Sequence, residues 1–355
     1  MSRFAKDGRV FFIEEAIFDP EKAHIDVTEV RPNVFVCVPQ VPVVSSPVEL
    51  STLDDQVVGL IDKLVDAHQI KEYVAWFYTP MMLGWSRNLR PSAIVYDCMD
   101  QLSAFKNAPS ELQEKERALF ATADLVFTGG KSLFEAKREQ HRAVHLFPSS
   151  IDAKHFGKAM DIHDDVDEQA EIPHPRVGFV GVIDERSDLE LLAAVAEMLP
   201  NVDFVMVGPV VKISEDDLPR RSNIHYLGQK SYDELPAILA GWDVAMMPFA
   251  LNESTRYISP TKTPEYLAAG LPVVSTPIAD VVDPYGKLGV VHIASTPEEF
   301  AAAISAAMAE NADERKGKVA EFLKDLSWDK TFRSMQQLIN ESIEKKDKQS
   351  ASVGV

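Results

Sequence analysis

Short apolar runs alternate with helical patterns along this chain, and the alternation happens twice, which leaves few folds open to it. In the first half the apolar runs are Arg9–Ile13, Val34–Val38, Val74–Tyr78, Ala93–Tyr96, Leu125–Thr128 and Val144–Phe147. Helical spacing separates them over Leu50–His68, where Leu53, Val57, Leu60, Ile61 and Leu64 share a face, and over 110–121 and 130–140. Runs with almost no polar residue suit parallel strands covered on both faces. Their alternation with helices predicts a doubly wound, mostly parallel sheet. Met1 to Gly8, ahead of the first run, reads as the end of an amphipathic helix.

Between about 157 and 175 the pattern stops. Asp161–Glu171 is acidic and aperiodic, and Pro173 and Pro175 close it, as expected of an interdomain linker. His163 beside Asp164 and Asp165 lacks metal-ligand spacing, so a solvated run is expected there. The alternation then restarts with Val177–Val180, Phe204–Val207, Ile224–Tyr226, Val244–Met247, Pro272–Val274 and Val290–Ile293. Helices are expected over 188–199, 231–240, 263–269 and 297–309, and Trp328–Ile343 forms a further amphipathic helix before a polar tail. The reading is an α/β chain of two Rossmann-like doubly wound parallel-sheet domains, residues 1–160 and 172–325, followed by a helix over 326–345.

A chain of 355 residues is long enough for two such cores. It has no apolar run long enough to span a bilayer and no signal-peptide pattern. Cys37 and Cys98 are too few for a disulfide framework and lack metal spacing, so a reducing cytoplasm is the expected location. A net charge of −19 argues against nucleic acid and against electrostatic docking on anionic lipid. It leaves room for a local cationic patch that binds a nucleotide phosphate.

Ser259–Ser275 is the densest stretch. Thr263 is a candidate N-cap with Pro264 at the first helical position, Gly270 suits a left-handed helix end, and Pro272 blocks continuation. The free N–H groups at such a helix start favour an anion, with Lys262 just before it and Glu265 in its first turn. On local chemistry alone an ordinary αβ unit, with Glu265 merely complementing the helix dipole, is the favoured reading. The string Pro264-Glu-Tyr-Leu-Ala-Ala-Gly-Leu-Pro-Val-Val274, however, resembles the nucleotide-binding signature of GT-B glycosyltransferases, E-A-x-A-x-G-x-P-V-V. The resemblance places Glu265 on the glutamate that binds the ribose hydroxyls of a sugar nucleotide. Tyr257 stands where many retaining members carry another glutamate, so the stereochemical class stays open.

Ligands of open α/β sheets bind beyond the carboxyl ends of the strands. In the second half the first strand ends in Gly181-Val-Ile-Asp-Glu-Arg-Ser-Asp188, which resembles a turn of bacterial members of the family. Gly181 permits close backbone approach and Arg186 is a candidate bidentate ligand for a diphosphate. Tyr226, at the start of Tyr226–Pro236, lies where the family contacts the base, although a packing role suits it as well. In the first half, Asp97 and Asp100 leave the end of a buried strand, and either is a candidate general base; each could instead bond loop backbone or a turn. Glu116 with Asp124–Thr128, and Phe147–Phe156, also resemble family segments. Gly129-Gly130 leads into a helix at Ser132, a second candidate anion site. In similar proteins the last helix crosses back onto the first domain. A strand and a loop facing the active site come before the equivalent of Arg9, which implies a shortened first domain here.

The resemblance implies transfer of a sugar from a nucleoside diphosphate sugar, a UDP-sugar above all, to a carbohydrate or lipid-linked hydroxyl in cell-surface polysaccharide or glycoconjugate synthesis. Lys262, Arg186 and helix N-termini would stabilise the leaving diphosphate. No cofactor and no metal are expected. A sugar-nucleotide 2-epimerase and a non-catalytic nucleotide-sugar binder share the fold and remain alternatives.

Overall fold

The computed structural model describes residues 1–19, 22–42 and 47–353. The first half contains β1 (Val10–Ile13), β2 (Ile17–Phe18), β3 (His24–Arg31), β4 (Val34–Val41), α1 (Pro47–Ala67), β5 (Val74–Phe77) and β6 (Ala93–Cys98). It continues through α2 (Leu112–Thr122), β7 (Leu125–Thr128), α3 (Lys131–Lys137), β8 (Val144–Leu146) and α4 (Ala153–Gly157). Its strands form two sheets. In one, β4 pairs in parallel with β1 and β2 and antiparallel with β3; in the other, β5-β6-β7-β8 are all parallel. β6 and β7 read as apolar runs because both of their faces are covered: Val95 and Phe127 meet Ile339 on one side, and Tyr96 and Val126 pack with Leu119 on the other.

The second half contains β9 (Arg176–Val180), α5 (Leu189–Met198), β10 (Asp203–Val207), β11 (Ile224–Tyr226), α6 (Leu235–Ala240) and β12 (Val244–Met247). After these come α7 (Lys262–Ala268), β13 (Val273–Ser275), α8 (Ala279–Val281), β14 (His292–Ile293), α9 (Pro297–Met308) and α10 (Ala312–Leu323). The six strands make one parallel sheet in the order β11-β10-β9-β12-β13-β14, which is the doubly wound order 3-2-1-4-5-6. Val244, Ala245, Met247, Val273 and Val274 have no exposed surface. Each of the valines and Met247 contributes about 1.5–3 kcal/mol by leaving water.

α11 (Trp328–Val353) crosses back onto the first half, as the resemblance implied. Its Met335, Leu338, Ile339 and Ile343 cover the β6–β7 face, and Lys346 pairs with Asp124 at 2.6 Å. Several expectations need correcting. Met1–Gly8 is a single tight turn, Phe4–Lys6, whose Phe4 packs edge-on against Trp76 and Phe332. The acidic stretch is not free in solvent along its length: Arg176, buried, takes both oxygens of Asp165, and buried Gln169 accepts from Trp242 Nε1 at 2.7 Å. Arg176 is held so firmly because its guanidinium would otherwise lie buried without a counter-charge. His163 and Asp164 are exposed, and among the described residues no cluster suited to a metal ion occurs.

Candidate nucleotide-sugar site

The carboxyl ends of β9, β10 and β12 converge on α7. Gly181 and Gly208 follow β9 and β10 at φ of 152° and 147°, a region other residues rarely enter. A side chain on Gly208 would overlap the Gly181 carbonyl, and one on Gly181 would reach within 2.2 Å of Lys262 Cε. The two glycines therefore let the strand ends close up and let the lysine stem lie along the backbone of Gly181.

Lys262 opens α7 and is half-buried. Its ammonium lies over the rings of Phe179 and Phe249, 5.7 and 6.0 Å from their centroids. No carboxylate forms an ion pair with it among the described residues, and burial depresses its pKa, with Glu265 pulling the other way. A cation stacked on aromatic faces but not neutralised by contact keeps most of its charge for a ligand. Glu265, in the first turn of the same helix, makes no side-chain hydrogen bond among the described residues, and burial pushes its carboxyl up to about 7 against the pull of Lys262. A carboxylate left without donors in this way is suited to accept from ligand hydroxyls.

Thr263 is not the N-cap. Thr261 holds that position without a side-chain bond, while Thr263 is buried, its hydroxyl 3.5 Å from Met247 Sδ, and Pro264 sits at the third helical residue. The helix starts two residues earlier than its proline suggested because Lys262 and Thr263 already take helical geometry. The other end follows the sequence: Gly270 has φ of 82°, and Leu271 N–H bonds to Tyr266 O, closing a Schellman motif.

Arg186 is oriented by Asp184, which the sequence reading did not single out. Asp184 is buried and accepts from Arg186 Nε and Nη2 at 3.0 and 2.7 Å. That leaves the Nη1 side of the guanidinium for another anion. The ring of Phe105, from the first half, lies under Arg186 and Lys212 at 5.6 and 5.1 Å. Tyr226 is spent on packing: its hydroxyl donates to Pro219 O at 3.2 Å and Arg220 covers its ring. Tyr232 instead stacks on His155, with ring centroids 4.2 Å apart, half-exposed and close enough to Glu265 to feel its charge.

The structure separates the two aspartates of the first half. Asp97 belongs to β6, opposite Phe127, and its Oδ2 accepts from Trp76 Nε1 at 3.2 Å. It therefore sits among the groups under α11 and does not extend past the strand end; burial raises its carboxyl to about 6. Asp100 lies beyond the strand and makes no side-chain hydrogen bond among the described residues; burial raises its pKa, and Arg186 of the other half counters it. Of the pair, Asp100 is the one across the cleft from the cations. Glu116 is structural: buried, it accepts from Tyr96 Oη at 3.0 Å and pairs with Lys137 at 2.8 Å.

The anion expected at Ser132 is supplied by the protein itself. Asp280 Oδ1 accepts from the Ser132 backbone N–H at 2.9 Å, and Lys131 pairs with Asp283 at 2.9 Å. Gly130 has room for nothing larger, since a Cβ there would lie 2.2 Å from Asp280 Oδ2. These bonds join the two halves on the α3 side of the cleft. Tyr257 packs against the first-half cluster around Phe77 and Tyr96, a contact that also bridges the halves.

Two facing Rossmann-like domains, a returning last helix and cations at the strand ends of the second domain define the GT-B class of glycosyltransferase. Residues 174–310 match the family model Glycosyl transferases group 1, so the chain carries a glycosyltransferase domain of that group and is a glycosyltransferase by class. It is 24% identical over 305 residues to TuaH of Bacillus subtilis (strain 168), a candidate teichuronic acid biosynthesis glycosyltransferase, covering 78% of this chain and 74% of TuaH. Among solved structures it is similar to a UDP-forming α,α-trehalose-phosphate synthase from Burkholderia xenovorans in complex with glucose-6-phosphate. That match has a TM-score of 0.67 at 12% identity over 94% of this chain and 93% of the synthase. HepE of Anabaena, solved in complex with UDP, gives 0.64 at 15% identity over 86% of each chain.

Proposed function

We propose that this chain transfers a sugar from a nucleoside diphosphate sugar, with UDP the favoured nucleotide, to a hydroxyl of a carbohydrate or lipid-linked acceptor. The observation that carries the reading is Lys262: a half-buried ammonium at the start of α7, with no ion pair among the described residues and laid against Gly181. In this reading Lys262 and Nη1 of Arg186 take the diphosphate, and Glu265 accepts from the ribose hydroxyls. Charge on the leaving phosphate grows as the glycosidic bond breaks, so a fixed ammonium beside it stabilises the transition state more than the bound donor. Asp100, across the cleft, takes the acceptor proton. Thr263 supports the helix through its packing under Met247, and Tyr226 and Asp97 hold the second and first sheets. UDP is favoured by the UDP of HepE and the UDP-forming synthase, and a role in cell-surface polysaccharide synthesis by the likeness to TuaH. No metal or cofactor enters the proposed chemistry. No helix among the described residues is long and apolar enough to cross a membrane, which fits a cytoplasmic enzyme with at most peripheral membrane contact.

The test is a thermal-stabilisation screen of nucleotides and nucleotide sugars, followed by turnover with and without acceptors. A nucleotide at 100 times its dissociation constant adds about 2.7 kcal/mol of stability. UDP and a UDP-sugar should stabilise the protein well above uridine, with sugar release only when a hydroxyl acceptor is present. Conversion of UDP-GlcNAc without any acceptor would replace transfer by epimerisation, and no nucleotide effect at all would remove the reading.

A further inference from the structure

Asp100 stands at the head of a short turn whose other end touches the second half. The head is fixed by the first half. Gly129 N–H bonds to Cys98 O at 3.1 Å, and the Cys98 thiol lies 3.7 Å from Asp100 O. A Cβ on Gly129 would lie 2.8 Å from Met99 O, so the glycine lets the chain leave β6 close against its neighbour. Beyond Asp100 the turn is bonded to itself. Ala104 N–H bonds to Gln101 O at 2.8 Å, Phe105 N–H to Leu102 O at 3.3 Å and Ala108 N–H to Phe105 O at 3.1 Å. Gln101 Nε2 donates to Ser103 Oγ at 2.6 Å, and Asn107 turns the chain back at φ of 64°. A segment bonded this closely moves as a unit, so whatever holds Phe105 also holds Gln101 and its neighbour Asp100.

Phe105 meets cations of the other half. Arg186 Cζ lies 5.6 Å and Lys212 Nζ 5.1 Å from the centroid of its ring. Attraction to a ring face occupies none of a cation's N–H groups. Arg186 can therefore keep the ring, its fork to Asp184 and a ligand anion at the same time. Lys212 reaches the ring from a backbone at φ of 65°, which a residue with a Cβ rarely adopts and which costs free energy wherever it persists. Its ammonium is 3.5 Å from Glu185 Oε1, and neither oxygen of that carboxylate makes a hydrogen bond among the described residues. So loose a pairing leaves the ammonium open to the ring. Arg186 bears on the head of the turn as well, since its charge counters the burial that raises the Asp100 pKa. One arginine thus acts on both ends of the segment.

We infer that Phe105 is a positioning residue: clasped across the cleft by Arg186 and Lys212, its ring fixes the turn that places Asp100 for the acceptor. The inference rests on the proposed role of Asp100 as the base and adds how the two halves are brought into register. One contact sets both the cation that faces the donor diphosphate and the acid that faces the acceptor. It forms only while the halves are together, because the ring belongs to one and the cations to the other.

The experiment compares the parent chain with Phe105→Leu, Phe105→Tyr, Asp100→Asn and the double variant Phe105→Leu/Asp100→Asn. Amide hydrogen exchange at Ala104 and Ala108 should be about fivefold or more faster in Phe105→Leu, and parental in Phe105→Tyr, which keeps a ring face. UDP affinity should stay within about twofold of the parent's, because Asp184 still orients Arg186. Turnover with the donor and acceptor that the screen above identifies should fall about tenfold in Phe105→Leu and recover in Phe105→Tyr. It should fall no further when Phe105→Leu is added to Asp100→Asn, because the ring acts through that acid. Unchanged exchange in Phe105→Leu overturns the inference, as do losses that multiply in the double variant or a turnover loss matched by an equal loss of UDP affinity. Full turnover in Asp100→Asn instead removes the base assignment on which the inference rests. Full turnover in Phe105→Leu beside a slow Asp100→Asn overturns the positioning alone.

Discussion

The two halves present strand ends to the same cleft, but in different condition. In the second half a six-stranded parallel sheet is continuous, and its ends are trimmed to glycine where Lys262 passes. In the first half the sheet is divided between β1 and β5, and Asp100, which feels the charge of Arg186, sits on a loop. In the proposed reading the donor groups stand at the ends of a continuous sheet and are preorganised by it, whereas the acceptor side rests on a loop. The comparison can be tested by breaking each side separately.

The largest effect should come from the first half. Asp100→Asn should lower turnover by about 10²–10⁴ if Asp100 takes the acceptor proton, with UDP affinity unchanged. Asp97→Asn should act through stability instead, because Asp97 bonds Trp76 under α11. Steady-state rates beside calorimetric affinities separate the two, and equal kinetic losses in both variants would blur the assignment.

Next in size is Glu265→Gln, which should weaken UDP by roughly 1.5–3 kcal/mol through loss of charge-assisted bonds. It also has a pH signature. The folded carboxyl titrates near 7, above its ordinary value of 4.5, so ligand-free stability attributable to this group falls as pH rises from about 4.5 to about 7. The same ionisation should strengthen UDP binding through pH 7. Glu265→Gln should flatten both profiles, and a parent affinity that is level from pH 5 to 8 would show that the ionised carboxylate is not the ribose acceptor.

Smallest is the junction between the halves. Asp280→Ala removes the carboxylate that caps α3 across the cleft and should cost about 0.5–2 kcal/mol in urea unfolding. Donor affinity should stay the same. A large loss of UDP binding in this variant would mean that the two halves are not separable in the way the comparison supposes.

Much of the second domain was legible because its strands are buried on both faces and its signals are local. Phe204–Val207 and Val244–Met247 are unbroken apolar runs, and Gly270 ends α7 where its left-handed preference required. β3 was not read from the sequence because it is an antiparallel strand whose side chains are nearly all exposed, so His24–Arg31 lacks a buried stripe. α10 was not read because only Val319 and Leu323 are buried in a charged segment. Of the candidate site, Lys262, Arg186 and Glu265 stand in local motifs that a sequence shows. Asp184 carried a weak signal, two residues before the arginine it orients. Asp280 carried none, since its partner Ser132 lies 148 residues away and on the other domain. The division between β1 and β5 was signalled only by the resemblance, which implied a shortened first domain, because locally both strands read as ordinary inner runs.

The central claim is that Lys262 meets a diphosphate, and the direct measurement is the ratio of UDP to uridine affinity in the parent and in Lys262→Met. If the ammonium contacts the phosphates, the variant should lose UDP affinity while uridine affinity stays near the parent value, and the ratio should fall by about tenfold or more, as expected for a charge-assisted bond of at least 1.5 kcal/mol. A ratio equal to the parent's would contradict the account and return Lys262 to the role of a lysine packed on Phe179 and Phe249.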